Sequence, residues 1–506
     1  GVTSGKSTFI ETVSWALINK YSPRELNIYA IDFSNHMLQP FQASPSFGEV
    51  MYETDLDLIS KFFFMLRSFL AERKNNIRGG SFAQYAKTNP GEYPAILVII
   101  DNYASFKEKT ENAYENTILE ISRDGVGFGI LLMISAGGIG INDFPAKILD
   151  NFKNVVALDM GEKMKFADVL KVHHLDVLPE EDVKGRGLTV VGGSPLEFQT
   201  ALAFEAEDDY SRARKIEKFC VEQAENYNGR VARNVPKIPE KPTWTEFAKN
   251  PEFEQLVEEK SRLPFAYNME NASVQSFDLS ESYCLIVGGA SRTGRTNALK
   301  ILMASAHAKG ADICLVDKED GALEAFSKNY CNTYVKDAKA LYGYLSALLP
   351  EFKKRNGIKR EMISAGADDG EIYQRMSEMK QMFIFVADIQ SFLKYVYTVN
   401  MDIGGMSGFV ENILEKGSLH NIYFIVDVSA DQVASAMGKR AFSLIASYKK
   451  GIYLGGNLSS QRILDFSTVP FSLQGKSMRA GTGFATPGYS ESKAPQIIIP
   501  LAKGLK

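Results

Sequence analysis

The sequence predicts an α/β protein made of two tandem domains, each with a parallel core sheet flanked by helices. Two observations lead to this prediction. Continuously apolar stretches of strand length alternate with stretches of helix length, which is typical of parallel sheets covered on both faces. The same series of elements then occurs a second time along the chain, so the sequence contains one large internal repeat.

The repeat begins with three elements in a fixed order: a glycine-rich loop, a helix-length stretch and an apolar strand ending in aspartate. In the first half these elements are residues 1–8, 9–20 and 28–33; in the second half they are residues 289–296, 297–309 and 313–318. The two aspartates are Asp32 and Asp317. One shared motif arises easily by chance, whereas a shared order of elements indicates a common fold.

Five further elements continue the repeat: a charged helix end, three buried strands, and a glycine-rich turn with two short strands. In the first half they are 69–76, 95–106, 129–135, 154–160 and 185–202; in the second half they are 348–357, 382–392, 421–429, 451–456 and 478–501. The interval from Asp32 to Asp101 is 69 residues, and that from Asp317 to Ala387 is 70 residues. The repeat therefore extends over nearly the whole chain.

These elements predict three regions. The first domain is assigned to residues 1–204 and the second domain to residues 271–506. Residues 205–270 are predicted to be a linker, with a charged amphipathic helix and a proline-rich stretch that favours extended chain. Because the sequence opens inside the first loop, and such loops follow a strand, we also expect a strand ahead of Gly1 in a larger protein.

Composition limits the possible functions. The formal net charge is −4, from 57 basic and 61 acidic residues, which gives no overall sign of a nucleic-acid-binding face. We therefore expect no nucleic-acid partner. The four cysteines have no zinc-like spacing with the five histidines. No apolar run has the length needed to cross a bilayer, so we expect no direct membrane insertion by these residues.

The first loop has the residues of a phosphate-binding loop. In such loops, glycines turn backbone N–H groups toward phosphate oxygens, a lysine contacts the β/γ-phosphates, and a Ser or Thr hydroxyl ligates Mg²⁺. Gly5, Lys6, Ser7 and Thr8 occur in this order. We predict that they bind ATP and that Ser7 contributes to a Mg²⁺ site. The alternative is a helix N-terminus capped by Ser and Thr.

The second loop has the glycines but not the lysine. Gly289 and Gly294 have the expected spacing, and Thr296 is in the hydroxyl position, but Arg295 stands where a lysine is required. The planar guanidinium is bulkier than an ammonium group and does not simply replace it. With the repeat, the two loops predict tandem P-loop NTPase domains of the additional-strand, RecA-like type, the second of them degenerate.

The acidic positions are divided between the domains. Aligning the two strands places Asp101, the predicted Mg²⁺-side carboxylate, opposite Ala387, and Asn102 opposite Asp388. An amide cannot act as a base toward the attacking water. Asp101 and Asp388 are thus the candidate catalytic residues, yet neither domain has a complete hydrolytic set. We predict binding rather than hydrolysis, and leave open whether the protein is an enzyme.

Two arginines have alternative interpretations. Arg123 and Arg186 lie next to glycine-rich turns, where oligomeric ATPases often place an arginine that completes a neighbouring subunit's site. The simpler interpretation is that each pairs with a nearby carboxylate.

Several short motifs point to a known family. They are YAIDF (29–33), FGEV (47–50), LAERK (70–74), RDGVGFGILLMIS (123–135), the NF within DNFKNVV (150–156), GRGL (185–188) and GGASRTGRTN (288–297). Together with the paired domains they resemble the FtsK/SpoIIIE superfamily, and within it the last two ATPase domains of the EssC/EccC motor of type VII secretion.

This resemblance implies a role in protein export. It implies a larger membrane-anchored protein, with these residues on the cytoplasmic side of a bacterial membrane, in contact with other domains and subunits of the motor. It also implies that small secreted helical-hairpin proteins dock on residues 271–506. DNA-pumping members have Thr-Gln-Arg-Pro where residues 135–138 of this chain are Ser-Ala-Gly-Gly, and this difference favours protein export over DNA translocation. A DNA-translocating motor and a nucleotide-independent scaffold are the alternatives.

Overall fold

Apolar strands form the centre of both halves of the protein. The structure is a computed structural model, and it describes residues 4–139, 143–173, 175–180, 183–400, 404–489 and 491–505. The chain divides into two compact units, Gly1–Lys237 and Ile238–Lys506. Each unit has helices packed on a core of parallel strands. The predicted α/β class is therefore confirmed. None of the helices in the described parts of the chain combines the length and apolar character needed to span a bilayer.

The strands of the first unit form two separate sheets. They are β1 (Leu26–Asp32), β2 (Phe47–Met51), β3 (Ala95–Asp101), β4 (Ile130–Ile134), β5 (Val156–Leu158), β6 (Arg186–Val191) and β7 (Ser194–Gln199). The parallel sheet has the order β2-β1-β3-β4, and the antiparallel sheet has the order β5-β6-β7. Nearly every residue of β1 and β3 is buried, as their continuous apolar sequence predicts.

Helices cover both faces of the parallel sheet. Those of the first unit are α1 (Lys6–Lys20), α2 (Leu56–Asn76), α3 (Phe82–Thr88), α4 (Tyr103–Lys109), α5 (Glu115–Asp124), α6 (Ala146–Leu149), α7 (Lys163–Leu170) and α8 (Asp209–Asn226). The phenylalanines at 62 and 63 in α2 are buried in the core against this sheet.

The strands of the second unit form one large sheet and a short hairpin. They are β8 (Arg262–Asn268), β9 (Val274–Asp278), β10 (Cys284–Gly289), β11 (Asp312–Val316), β12 (Thr333–Val335), β13 (Met382–Val386), β14 (Val399–Asn400), β15 (Gly404–Gly405), β16 (Ile422–Ser429), β17 (Gly451–Gly456), β18 (Met478–Ala485) and β19 (Gln496–Ile498). The large sheet has the order β12-β11-β13-β16-β10-β17-β18-β19-β8-β9.

The helices of the second unit follow the same plan. They are α9 (Trp244–Phe247), α10 (Pro251–Glu258), α11 (Arg295–Ala308), α12 (Glu324–Tyr330), α13 (Ala338–Ser364), α14 (Asp369–Met376), α15 (Ile389–Val396), α16 (Ser407–Lys416), α17 (Val433–Ala436), α18 (Arg440–Ala446) and α19 (Phe471–Gln474). Of these, α11 follows the second glycine-rich loop, as α1 follows the first.

The strand orders of the two units correspond, with one difference. The order β12-β11-β13-β16 matches β2-β1-β3-β4, and β17-β18-β19 matches β5-β6-β7. In the second unit β10 joins these two parts, pairing with both β16 and β17. In the described residues of the first unit no strand lies between β4 and β5. A cavity of about 490 Å³ lies there, lined by α1, β4 and β5.

The residues predicted to form a linker are divided between the units. Helix α8 packs on α1, where Arg212 forms a buried ion pair with Glu11 at 2.6 Å. Farther on, Tyr29 donates a hydrogen bond to the carbonyl of Arg233 at 2.6 Å. Strands β8 and β9 belong to the sheet of the second unit. The sequence-derived boundaries at 204 and 271 thus lie inside the two compact units, because this helix and these strands have apolar faces that pack on them.

A buried arginine connects the long helix α2 to the starts of two strands. Arg73 donates to the carbonyl of Pro94, just before β3, at 2.6 Å, and to those of Phe128 and Gly129, just before β4, at 2.8 and 3.2 Å. Burial lowers the pKa of Arg73 to about 10. Its guanidinium donates to backbone acceptors at the starts of both strands, and adds to the bond that the Gly129 carbonyl accepts from the amide of Ile96.

The second unit contains the same arrangement. Arg355 in α13 donates to the carbonyl of Lys380, before β13, at 2.9 Å, and to those of His420 and Asn421, before β16, at 2.7 and 3.3 Å. Arg73 and Arg355 are therefore equivalent residues. By the same contacts, His420 and Asn421 are equivalent to Phe128 and Gly129 of the first unit.

Candidate phosphate-binding sites

The first loop has the backbone geometry of an anion-binding turn. Gly5 precedes α1 with a positive φ of 96°, which favours glycine. A Cβ built on Gly5 would lie 3.2 Å from the amide nitrogen of Gly185, which is a tight contact. The first amides of α1 lie at a helix N-terminus, where phosphate binds favourably.

Ser7 and Asp101 are brought together at this loop. The Ser7 hydroxyl donates to Oδ2 of Asp101 at 2.6 Å. The other oxygen of Asp101 accepts a short hydrogen bond from the hydroxyl of Ser135, which itself accepts from the amide of Asn102 at 2.9 Å. This chain of hydrogen bonds fixes the carboxylate next to the first turn of α1.

The two oxygen ligands fit Mg²⁺ bound together with phosphate. Mg²⁺ is usually held by one or two protein oxygens, with substrate phosphates and water completing its coordination. In the described part of the chain, no cluster of three or more His, Cys, Asp or Glu side chains is placed to hold a metal ion. Ser7 and Asp101 would accordingly hold the metal only alongside a nucleotide.

Lys6 and Thr8 flank Ser7 in the first turn of α1. Both are half-buried, and Lys6 lines the cavity between β4 and β5. Burial lowers the pKa of Lys6, while the negative charge of Asp101 acts in the opposite direction. An ammonium group at this position suits contact with a triphosphate.

Asn102 has a structural role in this arrangement. It precedes α4 with a φ of 66° and donates from its side-chain amide to the carbonyl of Phe33 at 3.0 Å and to the hydroxyl of Ser105 at 2.8 Å. An amide that is held in this way and cannot accept a proton does not supply a base. Asn102 therefore supplies no group that could activate water next to Asp101.

The second loop has nearly the same backbone as the first. Gly294 precedes α11 with a φ of 100°, and a Cβ built on it would lie 3.3 Å from the amide nitrogen of Gly481. Gly289 has a φ of 152°, and a Cβ there would lie 2.4 Å from the carbonyl oxygen of Leu454. Thr296 follows in the first turn and is exposed.

The side chains of the second loop are arranged differently. Arg295 forms a short ion pair with Asp427 at the end region of β16. Its Nε also donates to the carbonyl of Ala290 within the loop at 3.3 Å, and the Thr293 hydroxyl donates to the same carbonyl at 2.8 Å. Burial raises the pKa of Asp427 to about 7, against the opposing effect of Arg295. The guanidinium therefore folds back onto its own loop.

The strand registers show which residues correspond. Ile100 pairs with Ile134 across β3 and β4, and Val386 pairs with Val426 across β13 and β16. The next residue on each strand is Asp101 and Ser135 in the first unit, and Ala387 and Asp427 in the second. The second unit therefore has its carboxylate one strand away from the position it has in the first.

Asp388 is held by three hydrogen bonds. It caps α15, accepting from the amide and the hydroxyl of Ser391 at 2.8 and 2.7 Å, and from the side chain of Gln432 at 2.6 Å. Burial would raise the pKa of Asp388, but these bonds together hold it below its ordinary value. A carboxyl group stabilised in the charged form is a weak base.

The two arginines considered as trans-acting groups have partners in the same chain. Arg123 donates to the neighbouring Asp124 at 2.7 Å. Arg186 lies 3.2 Å from Glu180 and 3.7 Å from Glu197. These pairs match the simpler interpretation of both residues.

Sequence reasoning did not identify Ser135 as a partner of Asp101, or Asp427 as the partner of Arg295. Both residues directly follow the apolar core of the fourth strand. The repeat already pairs residues 129–135 with residues 421–429, and aligning these two strands from their first residues places Ser135 opposite Asp427. That signal was present in the sequence.

Comparison with known proteins tests the predicted resemblance. Residues 1–173 match the FtsK/SpoIIIE family. The predicted resemblance to this family is confirmed. The chain is also similar to the type VII secretion system protein EssC of Staphylococcus aureus strain MRSA252, with 24% identity over 334 residues. The match covers 65% of this chain and 22% of EssC, so the chain spans about a fifth of the length of that relative.

Two solved structures share the FtsK/SpoIIIE-like tandem fold. ATPases 2 and 3 of EssC from Geobacillus thermodenitrificans superpose with a TM-score of 0.76 and 19% identity, covering 99% of this chain and 90% of that chain. ATPases 2 and 3 of EccC from Thermomonospora curvata, in complex with a signal sequence peptide, give a TM-score of 0.60 and 20% identity, covering 99% and 87%. These likenesses establish the tandem P-loop ATPase fold.

Proposed function

We propose that this chain is an ATPase-domain module of a type VII secretion motor, in which the first unit binds Mg-ATP weakly and the second unit serves substrate recognition and regulation. The observation that carries the proposal is the contrast between the loops. At the first loop the Ser7 hydroxyl bonds to Asp101, and these two oxygen groups suit Mg²⁺, whereas at the second loop Arg295 is paired with Asp427.

The first site would bind nucleotide through residues of α1 and β3. The loop amides and Lys6 would contact the phosphates, and Ser7 with Asp101 would hold Mg²⁺, which neutralises phosphate charge when bound. Asn102 offers no base at the next position. We therefore propose binding as the main role of this site, with slow hydrolysis at most.

The second unit would act as the substrate receptor. The solved EccC structure is a complex with a signal sequence peptide. By analogy we propose that the second unit of this chain docks the C-terminal tail of small secreted helical-hairpin proteins. The module would then lie on the cytoplasmic side of a bacterial membrane, within a larger anchored protein and in contact with its other domains and subunits.

Nucleotide binding is tested by calorimetry with Mg-ATP on the whole chain and on Lys6→Ala. We expect one binding site per chain, lost in the variant. Lys20→Ala, an exposed lysine at the other end of α1, is the matched control and should bind as the unchanged protein does. Absence of binding, or binding that survives Lys6→Ala, would contradict the proposal for the first site.

Substrate recognition is tested with a fluorescent peptide from the C-terminus of a secreted helical-hairpin protein of the same organism. We expect anisotropy to rise on binding, and hydrogen exchange to slow in peptides from the second unit. A scrambled peptide is the control. If the chain instead binds duplex DNA, with affinity that falls steeply with salt, and ignores the peptide, the DNA-translocating alternative is correct.

A further inference from the structure

One position beside each loop differs in charge between the units. Ser135 directly follows β4 and Asp427 lies near the end of β16, and strand pairing makes these two residues equivalent. Each forms a hydrogen bond to a charged side chain at its own loop. Ser135 bonds to Asp101, while Asp427 pairs with Arg295.

In the first unit the neutral hydroxyl of Ser135 bonds to the carboxylate beside the loop. It donates to Asp101 and orients the carboxylate toward Ser7, which lies 2.6 Å from it. Since Ser135 carries no charge, the carboxylate of Asp101 is the anionic group of this network. A metal ion bound with a triphosphate would be attracted to it.

In the second unit the buried carboxylate of Asp427 attracts a cation of the chain itself. The guanidinium of Arg295 lies against it and also bonds to the loop carbonyl of Ala290. A triphosphate entering this loop would have to displace the guanidinium and approach a buried carboxylate. The first step breaks a buried ion pair and the second brings like charges together, so both are unfavourable.

We propose that one position at the carboxyl end of the fourth core strand decides whether each loop accepts a nucleotide: Ser135 positions the Mg²⁺-side carboxylate of the first loop, and Asp427 closes the second loop with Arg295. This inference rests on the proposed binding of Mg-ATP by the first unit. It assigns Ser135 as a positioning residue and Asp427 as the determinant of closure.

The main test transfers the first set of side chains to the second loop. The variant combines Arg295→Lys, Ala387→Asp and Asp427→Ser, in a Lys6→Ala background that disables the first loop. Calorimetry with Mg-ATP should show one site per chain, where Lys6→Ala alone shows none. A variant with unchanged circular dichroism and melting temperature that binds no Mg-ATP would overturn the inference.

The reverse test changes the first loop alone. Ser135→Asp should lower the affinity for Mg-ATP at least tenfold, because a second carboxylate would attract Lys6 and repel the triphosphate. Ser135→Ala is the matched control: it should reduce the ratio of affinities measured with Mg²⁺ and with EDTA, and Ser135→Thr should restore that ratio. Unchanged affinity in Ser135→Asp would contradict the inference, even if the triple variant fails to fold.

The two proposals fail in different ways. If the unchanged protein binds no Mg-ATP but the triple variant binds one equivalent, the proposed role of the first unit is wrong and the inference about Asp427 holds. If the unchanged protein binds one equivalent and the folded triple variant binds none, the inference is wrong and the proposed function holds.

Discussion

In both units a glycine with positive φ ends the phosphate loop and begins a helix, Gly5 at 96° and Gly294 at 100°. Around this shared backbone the charges differ, because the carboxylate beside the loop lies on β3 in the first unit and on β16 in the second. The backbone of a phosphate loop thus persists in the second unit although its carboxylate pairs with an arginine of the chain itself. The comparison shows that the backbone conformation of the loop and the charged side chains beside it can change independently.

The largest expected effect tests whether the two scaffolds are equivalent. Arg355→Met removes a donor from three backbone carbonyls, of which that of Asn421 still accepts from the amide of Met382, and should destabilise the second unit by about 3 kcal/mol. Arg73→Met should do the same to the first unit. Hydrogen exchange of amides in β13 and β3 measures each unit separately, and Lys353→Met, an exposed change on α13, is the control. A large loss in one unit only would show that the scaffolds are not equivalent.

The next effect concerns a position where the scaffolds differ. His420 is fully buried against Phe352, and the equivalent residue of the first unit is Phe128. Burial lowers the pKa of His420 to about 4, and the positive charges of Lys359 and Arg355 lower it further. The unfolded chain, with a histidine pKa near ~6.5, takes up the proton first as pH falls. The stability of the second unit should therefore decrease from about pH 6.5 to about pH 4, by up to about 3 kcal/mol.

The control for this pH effect is His420→Phe, which copies the first unit. It should remove this part of the acid sensitivity of the second unit and leave the first unit unchanged, as measured by urea unfolding between pH 4 and 8 with hydrogen exchange. Equal acid sensitivity in both proteins would rule out His420 as the cause.

A smaller effect is expected when Asp101 and Asp388 are compared. Asp101→Asn should weaken Mg-ATP binding roughly 10- to 100-fold, because the group that supports the metal-side hydroxyl of Ser7 loses its charge. Binding of ATP in EDTA should change little. Asp388→Asn, the matched change in the other unit, should leave Mg-ATP affinity as it was. Calorimetry with and without Mg²⁺ distinguishes these outcomes, and an effect of Asp388→Asn would place Asp388 in a nucleotide site after all.

The smallest effect tests the structural role of Asp388. Asp388→Ala removes the cap of α15 and should cost about 1 kcal/mol, whereas Asp388→Asn keeps a capping side chain and should cost less. The melting temperature of the second unit is the measurement. Equal losses in the two variants would mean that the charge, rather than the cap, is what matters.

Much of the fold could be predicted because the information was local. Apolar runs such as residues 95–101 predict buried strands, and a glycine-rich turn ahead of an amphipathic stretch predicts a loop and helix. The strand pairing of Asp101 with Asp32 follows from two such runs that each end in aspartate. These features need no knowledge of distant contacts.

The remaining features depended on contacts between distant residues. Arg295 and Asp427 are 132 positions apart, and Arg212 pairs with Glu11 over 201 positions. Local composition indicates neither pair. The sequence therefore shows that an arginine replaces the loop lysine, but it does not show which residue pairs with that arginine. Helix α8 was correctly expected as a helix, yet the ion pair that fastens it to α1 lay outside what a single sequence reveals.

The arginine that joins α13 to two strand starts has a consequence for the order of folding. Its acceptors are 25, 65 and 66 positions away, so the full set of three hydrogen bonds is expected to form late, when the starts of β13 and β16 both lie beside α13. Contacts completed after the transition state slow unfolding and leave the folding rate nearly unchanged. Arg355 is thus expected to govern how long the second unit stays folded rather than how quickly it folds.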